Sequence, residues 1–146
     1  MTATPDVVAP GDGSLALGVD LISVRDVAES LARFGDRYTG RLFTRDEIAY
    51  CLDDPQLAAQ RFAARFAAKE AVMKALRVVA TDALAWTSIE VRRMPDGWCE
   101  IVLHDAAKQL ADRAGISDLA LSMSHERDYA TAAVVAHRRS RAVKLG

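Results

Sequence analysis

Alternating and clustered apolar positions divide the chain into short strands and amphipathic helices. Leu15-Ala-Leu-Gly-Val-Asp-Leu-Ile22 is an apolar run with β-branched residues, the pattern of a strand. Ser23, with Asp26 three residues later, resembles a helix N-cap and predicts a helix over 24–34. Gly35 and Gly40 predict a loop, after which Thr44-Arg-Asp-Glu47 matches a capping box and starts a second, shorter helix that Pro55 interrupts. A long helix is predicted over 56–79. The β-rich runs Ala85–Met94 and Trp98–Leu103 flank Pro95-Asp96-Gly97, the turn signal of a hairpin. A helix is expected over 105–114, closed by Gly115, and then a second strand pair, Asp118–His125 and Tyr129–His137. Strands in antiparallel pairs with segregated helices predict an α+β domain over 14–137. Residues 1–13, with two prolines and two glycines, read as a flexible leader, and 138–146 as a basic tail that is frayed or contacts an acidic surface.

Composition narrows the class. The chain has 146 residues, 51% hydrophobic and 27% charged, enough for one domain to bury a core. A formal charge of -1 gives no whole-molecule attraction to nucleic acid or membrane, so any polyanion site is local. Cys51 and Cys99 are distant and form no Cys-x-x-Cys pair, which suits a reducing compartment and makes the cytoplasm the expected location. No apolar run is long enough to span a bilayer and no secretion signal is recognised.

The candidate chemistry lies in three blocks. Asp20 interrupts an apolar strand, either turned to solvent or held for a purpose that local structure does not supply. Between Arg61 and Leu76 the long helix carries five charges, four of them basic, among phenylalanines and alanines. Glu70 and Lys74, four apart, share a face as a surface pair or as a pair looking into a cleft. Arg61, Arg65 and Lys69 recur every fourth residue as a basic stripe, either solvated or able to receive phosphates. The third block, Leu121-Ser-Met-Ser-His-Glu-Arg-Asp-Tyr129, brings Ser124 and His125 to a strand end. A Ser-His-Asp hydrolase is disfavoured, because adjacent strand residues face opposite ways and no Gly-x-Ser-x-Gly elbow exists. Neither a phosphate-binding Gly-x-x-x-x-Gly-Lys loop nor a Gly-x-Gly-x-x-Gly fingerprint is present.

Gly18-Val-Asp20-Leu, Arg65-Phe-Ala-Ala-Lys69-Glu70-Ala-Val-Met-Lys74-Ala-Leu and Leu121-Ser-Met-Ser-His125-Glu-Arg-Asp-Tyr-Ala130 resemble the three signatures of the 4'-phosphopantetheinyl transferase superfamily. Their order, spacing and the chain length are similar to its short branch, the holo-acyl carrier protein synthases. The resemblance spans 15–137. It implies that family's fold, antiparallel strands packed against one long and several shorter helices. It also implies transfer of 4'-phosphopantetheine from coenzyme A to a serine of an apo acyl carrier protein of fatty-acid or polyketide synthesis, releasing adenosine 3',5'-bisphosphate. By position, Asp20 and Glu70 would hold Mg²⁺ and Lys74 would contact the phosphates, these three forming the catalytic set. Glu70 or a metal-bound water would relay the serine proton. Arg65, Lys69, Lys74, Ser124 and His125 would hold coenzyme A. An acidic carrier would dock on Arg33, Arg37, Arg41 and Arg45, and a homotrimer is implied. The alternative is a non-catalytic relative that binds coenzyme A or a carrier protein as a scaffold.

Two departures from the family pattern stand out. Ala75-Leu76-Arg-Val-Val-Ala-Thr81 lacks the glycine-rich loop that follows the lysine block in typical members. Asp26 occupies the position six after Asp20 where an arginine is often found, with Arg25 beside it.

Overall fold

The computed structural model describes residues 14–139. Strand β1 (Leu15–Ser23) leads into helix α1 (Val24–Phe34), whose first turn is capped by the Ser23 hydroxyl accepting from the Asp26 amide. The segment expected as a loop between Gly35 and Gly40 is instead helix α2 (Asp36–Leu42). Its glycine at position 40 lies inside the helix, and Thr39 is buried on the inner face, so packing outweighs the local cost of glycine. Helix α3 (Arg45–Leu52) begins with the expected reciprocal capping box between Thr44 and Glu47.

The long helix α4 (Ala58–Ala75) stops four residues short of the predicted end. Arg77 turns left-handed at φ 54°, its amide donates to Lys74 O at 3.1 Å, and the Val78 amide donates to Met73 O at 2.9 Å. This is a Schellman closure, with an arginine where glycine is the low-cost residue. Short 3₁₀ turns at Ala80–Asp82 and Trp86–Ser88 then lead to the hairpin β2 (Ile89–Arg93) and β3 (Cys99–Leu103). Gly97 closes that hairpin at φ 90°. The remaining elements are α5 (Asp105–Arg113), β4 (Ile116–His125) and β5 (Tyr129–Arg138).

All strand pairs are antiparallel, in a three-stranded sheet ordered β1-β5-β4 and a two-stranded β2-β3 sheet. Helix α4 lies across the three-stranded sheet, and its alanines 67, 68, 71 and 75 are buried with Ala132, Val134 and Ala136 of β5. A second cluster joins α1, α3 and the start of α4 around Phe43 and Phe62, whose rings are 4.8 Å apart. Arg138, placed at the head of the expected tail, is the last residue of β5, and its amide donates to Ser14 O at 2.6 Å. The leader over 1–13 and the tail beyond 139 lie outside the described residues. Among the described residues no helix is long and apolar enough to cross a membrane.

Candidate active site

Three of the sequence-selected side chains meet where β1 passes over α4. Lys74 Nζ donates to Asp20 Oδ1 at 3.0 Å and to the carbonyl of Val19 at 2.9 Å. Asp20 is therefore no solvent-facing strand residue: its side chain is 15% exposed, and its second oxygen, Oδ2, is buried with no hydrogen-bond partner among the described residues. A buried, unpaired carboxylate oxygen carries a desolvation cost, which makes it a candidate ligand atom. Glu70 stands one turn before Lys74. Burial pushes its carboxyl above the usual range, the Asp20 charge pushes it further, and Lys74 partly opposes both. Two neighbouring carboxylates that repel each other, one with a free oxygen, suit a hard divalent cation. Among the described residues no group of three or more His, Cys, Asp or Glu could hold an ion. Two neighbouring carboxylates, Asp20 and Glu70, fit the needs of Mg²⁺, which takes one or two carboxylates and fills its shell with phosphate oxygens and water.

A second constellation lies along α4 towards its N-terminus. A cavity of about 290 Å³ is lined by Arg61, Arg65 and Arg93 together with Tyr50, Cys99 and His125, and no acidic residue among those described lines it. The guanidinium carbons of Arg65, Arg61 and Arg93 sit 4.2, 4.4 and 5.4 Å from the centre of the Tyr50 ring. Arg65 is only 3% exposed, and its Nε has no hydrogen-bond partner among the described residues. Among the described residues none of these three guanidiniums forms an ion pair, and their grouping around one aromatic ring has the charge and shape that suit a polyanion. Arg65 and His125, far apart in sequence, are brought together here, whereas Ser124 does not line the cavity. Tyr50 and Arg93 were not legible as site residues, since nothing local to either marks it. Arg61 was visible only as part of the stripe.

The basic stripe itself does not exist as a surface feature. Lys69, expected on coenzyme A, is fully buried. Its ammonium donates to Glu47 Oε1 at 2.8 Å, to Trp86 O at 3.1 Å and to Ile89 O, so all three N–H groups are used inside the protein. Burial pulls its pKa down, while Glu47 opposes the shift. Glu47 in turn accepts from the Thr44 amide at 2.9 Å and, through Oε2, from the Val91 amide at 3.0 Å. Lys69 therefore ties α4 to α3 and to the entry of β2, and has no donor left for a ligand. The sequence signal for this was a lysine hemmed in by alanines with an upstream glutamate assigned only to a cap.

Arg33, Arg37, Arg41 and Arg45 are all exposed, on the end of α1, on α2 and at the start of α3. Arg37 and Arg41 line a groove of about 480 Å³ with Phe34, Tyr38, Leu42 and Trp86, mixing positive charge with apolar surface. Trp86, in the wall of this groove, lies against Phe66 of α4, one turn before Glu70, with ring centres 5.1 Å apart.

Comparison with known proteins identifies the family. Residues 16–134 match the family model of the 4'-phosphopantetheinyl transferase superfamily. The holo-[acyl-carrier-protein] synthase of Koribacter versatilis is 44% identical over 121 residues, covering 83% of this chain and 96% of that protein. The Moorella thermoacetica protein of the same name is 41% identical over 118 residues, covering 81% and 90%. Among solved structures, the Neisseria meningitidis holo-[acyl-carrier-protein] synthase superposes with a TM-score of 0.76 at 30% identity, over 84% of this chain and 98% of that one. The Helicobacter pylori synthase, solved in complex with coenzyme A, gives 0.71 at 30% identity, over 82% and 98%. With the carboxylate pair, its lysine and the arginine-lined cavity carried on a matching α+β frame, the chain belongs to the 4'-phosphopantetheinyl transferase superfamily, in its holo-acyl carrier protein synthase branch.

Proposed function

We propose that this protein moves the 4'-phosphopantetheine arm of coenzyme A onto a serine of an apo acyl carrier protein, with Mg²⁺ held by Asp20 and Glu70. The observation that carries the reading is the unpartnered, buried Asp20 Oδ2 beside Glu70, with Lys74 fixed on the other oxygen of the same carboxylate. The serine oxygen attacks the β-phosphorus of coenzyme A and forms the new P–O bond. The bond to the bridging oxygen breaks, and adenosine 3',5'-bisphosphate leaves with that oxygen.

The chain's residues divide the work. Lys74, with its head half exposed and held by Asp20 and Val19 O, presents its charge to the diphosphate and balances what accumulates as the bond breaks. Glu70, whose carboxyl lies above the usual range through burial and then Asp20, accepts the serine proton, directly or through a bound water. The 3'-phosphate and adenosine end of coenzyme A occupy the Arg61, Arg65, Arg93 and His125 cavity. A bound Mg²⁺ supplies charge neutralisation on the diphosphate. An acidic carrier docks on Arg33, Arg37, Arg41 and Arg45, with apolar side chains in the groove between Phe34 and Trp86.

The outer face of the three-stranded sheet supports a homotrimer. Leu15, Leu17, Val19 and Leu21 of β1 are 50 to 65% exposed, beside Val135 of β5 at 40%. Such an alternating apolar face calls for a cover, and a second and third copy of the chain are the proposed occupants; sedimentation should give three times the chain mass. Two free cysteines suit the cytoplasm proposed as its location.

Incubating the protein with coenzyme A, Mg²⁺ and several apo carrier proteins, then weighing the carriers by mass spectrometry, tests the function. Addition of one phosphopantetheine to a carrier is expected, dependent on Mg²⁺. A folded protein that modifies no carrier would sink the transferase reading in favour of a binding-only relative.

A further inference from the structure

Gly18 sits where the backbone of β1 presses on that of α4, and it is buried. A methyl group on its Cα would overlap the carbonyl oxygen of Ala71 and stand 2.8 Å from the Ala71 carbonyl carbon and 2.9 Å from the Ala75 nitrogen. These are backbone atoms of the last turn of α4, so no side-chain rotation relieves the contact. The glycine is required here by proximity. Ala71 and Ala75 each directly follow one member of the site, Glu70 and Lys74, and Gly18 is two residues from Asp20 on the same face of β1. The strand–helix contact and the carboxylate–lysine cluster are thus one piece of geometry. Lys74 closes the cluster by holding both Asp20 Oδ1 and Val19 O.

We infer that Gly18 is a positioning residue: the bare backbone contact it allows sets the spacing between Asp20 and Glu70, and so the ability of the pair to share one cation. This inference rests on the transferase reading for the identity of the cation, but its geometry is independent of the reaction. Any side chain at position 18 lifts β1 from α4 and withdraws the Asp20 carboxylate from Glu70. Misplacing catalytic groups by about 1 Å costs up to ~10²-fold in rate. One added methylene restores about 1.5 Å of reach, so lengthening Asp20 should compensate for a strand that has moved away.

The test compares Gly18→Ala, Asp20→Glu and the double variant in the full-length protein. Mn²⁺ is the probe, its binding read by electron paramagnetic resonance with and without coenzyme A, and transfer to an apo carrier is measured in parallel. Gly18→Ala should weaken Mn²⁺ binding by at least about tenfold and lower kcat by ~10²-fold. Asp20→Glu alone should also weaken binding, whereas the double variant should bind Mn²⁺ more tightly than Gly18→Ala alone. Losses that simply multiply, or a folded Gly18→Ala with unchanged Mn²⁺ affinity, overturn the inference. A loss through general loosening would not be rescued by a longer carboxylate. If Gly18→Ala does not fold, the spacing is tested by exchange: Asp20→Glu with Glu70→Asp should bind Mn²⁺ more tightly than either single variant. An exchange no better than the singles overturns the inference as well. A wild-type protein that binds Mn²⁺ but transfers nothing removes the transferase reading and leaves the role of Gly18 standing.

Discussion

Replacing Lys69 by methionine separates two roles for a charge next to the reactive carboxylate. Methionine keeps the unbranched stem but removes the ammonium, so Glu47 Oε1 loses its charged partner while Trp86 O and Ile89 O lose their donor. Both members of the pair are fully buried. Removing one partner of such a pair costs about 3–5 kcal/mol, chiefly because a charge is left behind without compensation. For a domain of this size that corresponds to a fall in Tm of roughly 10 °C. Thermal unfolding followed by circular dichroism, at fixed protein concentration because assembly shifts Tm, measures it directly. Adding Glu47→Gln to Lys69→Met should cost less than the sum of the single changes, by about 1–3 kcal/mol of coupling. The KM for coenzyme A, measured below the Tm of the variant, should change less than about twofold, well under the tenfold expected for a lost charged contact. A Lys69→Met protein with unchanged Tm and a tenfold higher KM for coenzyme A would refute the reasoning and return Lys69 to the ligand.

Glu70→Gln should abolish Mg²⁺-dependent transfer with Tm within about 2 °C of the original, since it removes a ligand charge at constant volume. Because burial and then Asp20 raise the pKa of Glu70, Mg²⁺ affinity in the unmodified protein should be lost on acidification at a higher pH than for an ordinary carboxylate; calorimetry from pH 5 to 8 would reveal a contradictory flat profile. Arg65→Ala should raise KM for coenzyme A by about tenfold or more, with a smaller effect on dephospho-coenzyme A if the cavity receives the 3'-phosphate; equal effects on both would count against that placement. Arg77→Gly relieves a left-handed arginine at the end of α4 and should stabilise by about 1 kcal/mol, seen as a rise in the denaturant midpoint. Paired Arg37→Glu and Arg41→Glu should raise KM for the carrier and leave KM for coenzyme A unchanged, and the reverse pattern would move the docking surface elsewhere.

The sequence alone determined what depends on neighbours along the chain. The Ser23 cap, the Thr44–Glu47 capping box, the Pro95-Asp96-Gly97 turn and the apolar runs of β1, β4 and β5 are readable because each is set within a few residues by hydrogen bonding or side-chain pattern. The identity of Asp20, Glu70 and Lys74 as candidates was legible for the same reason, as charges where the local pattern wanted none. That Asp20 and Lys74 touch was not, because 54 positions separate them and only the packing of β1 on α4 brings them together. The helix at 36–42, hidden behind two glycines, and the early end of α4 at a left-handed Arg77 also follow from packing that local propensity does not encode. Tertiary structure likewise decided between two lysines on one helix. Lys74 stands at the open edge of the β1–α4 seam, and Lys69, five residues earlier, points into the space between α3 and β2. Helical period places them on different faces, but only the fold says which face is buried: burial is fixed by partners such as Glu47 and Ile89, 22 and 20 residues away in sequence.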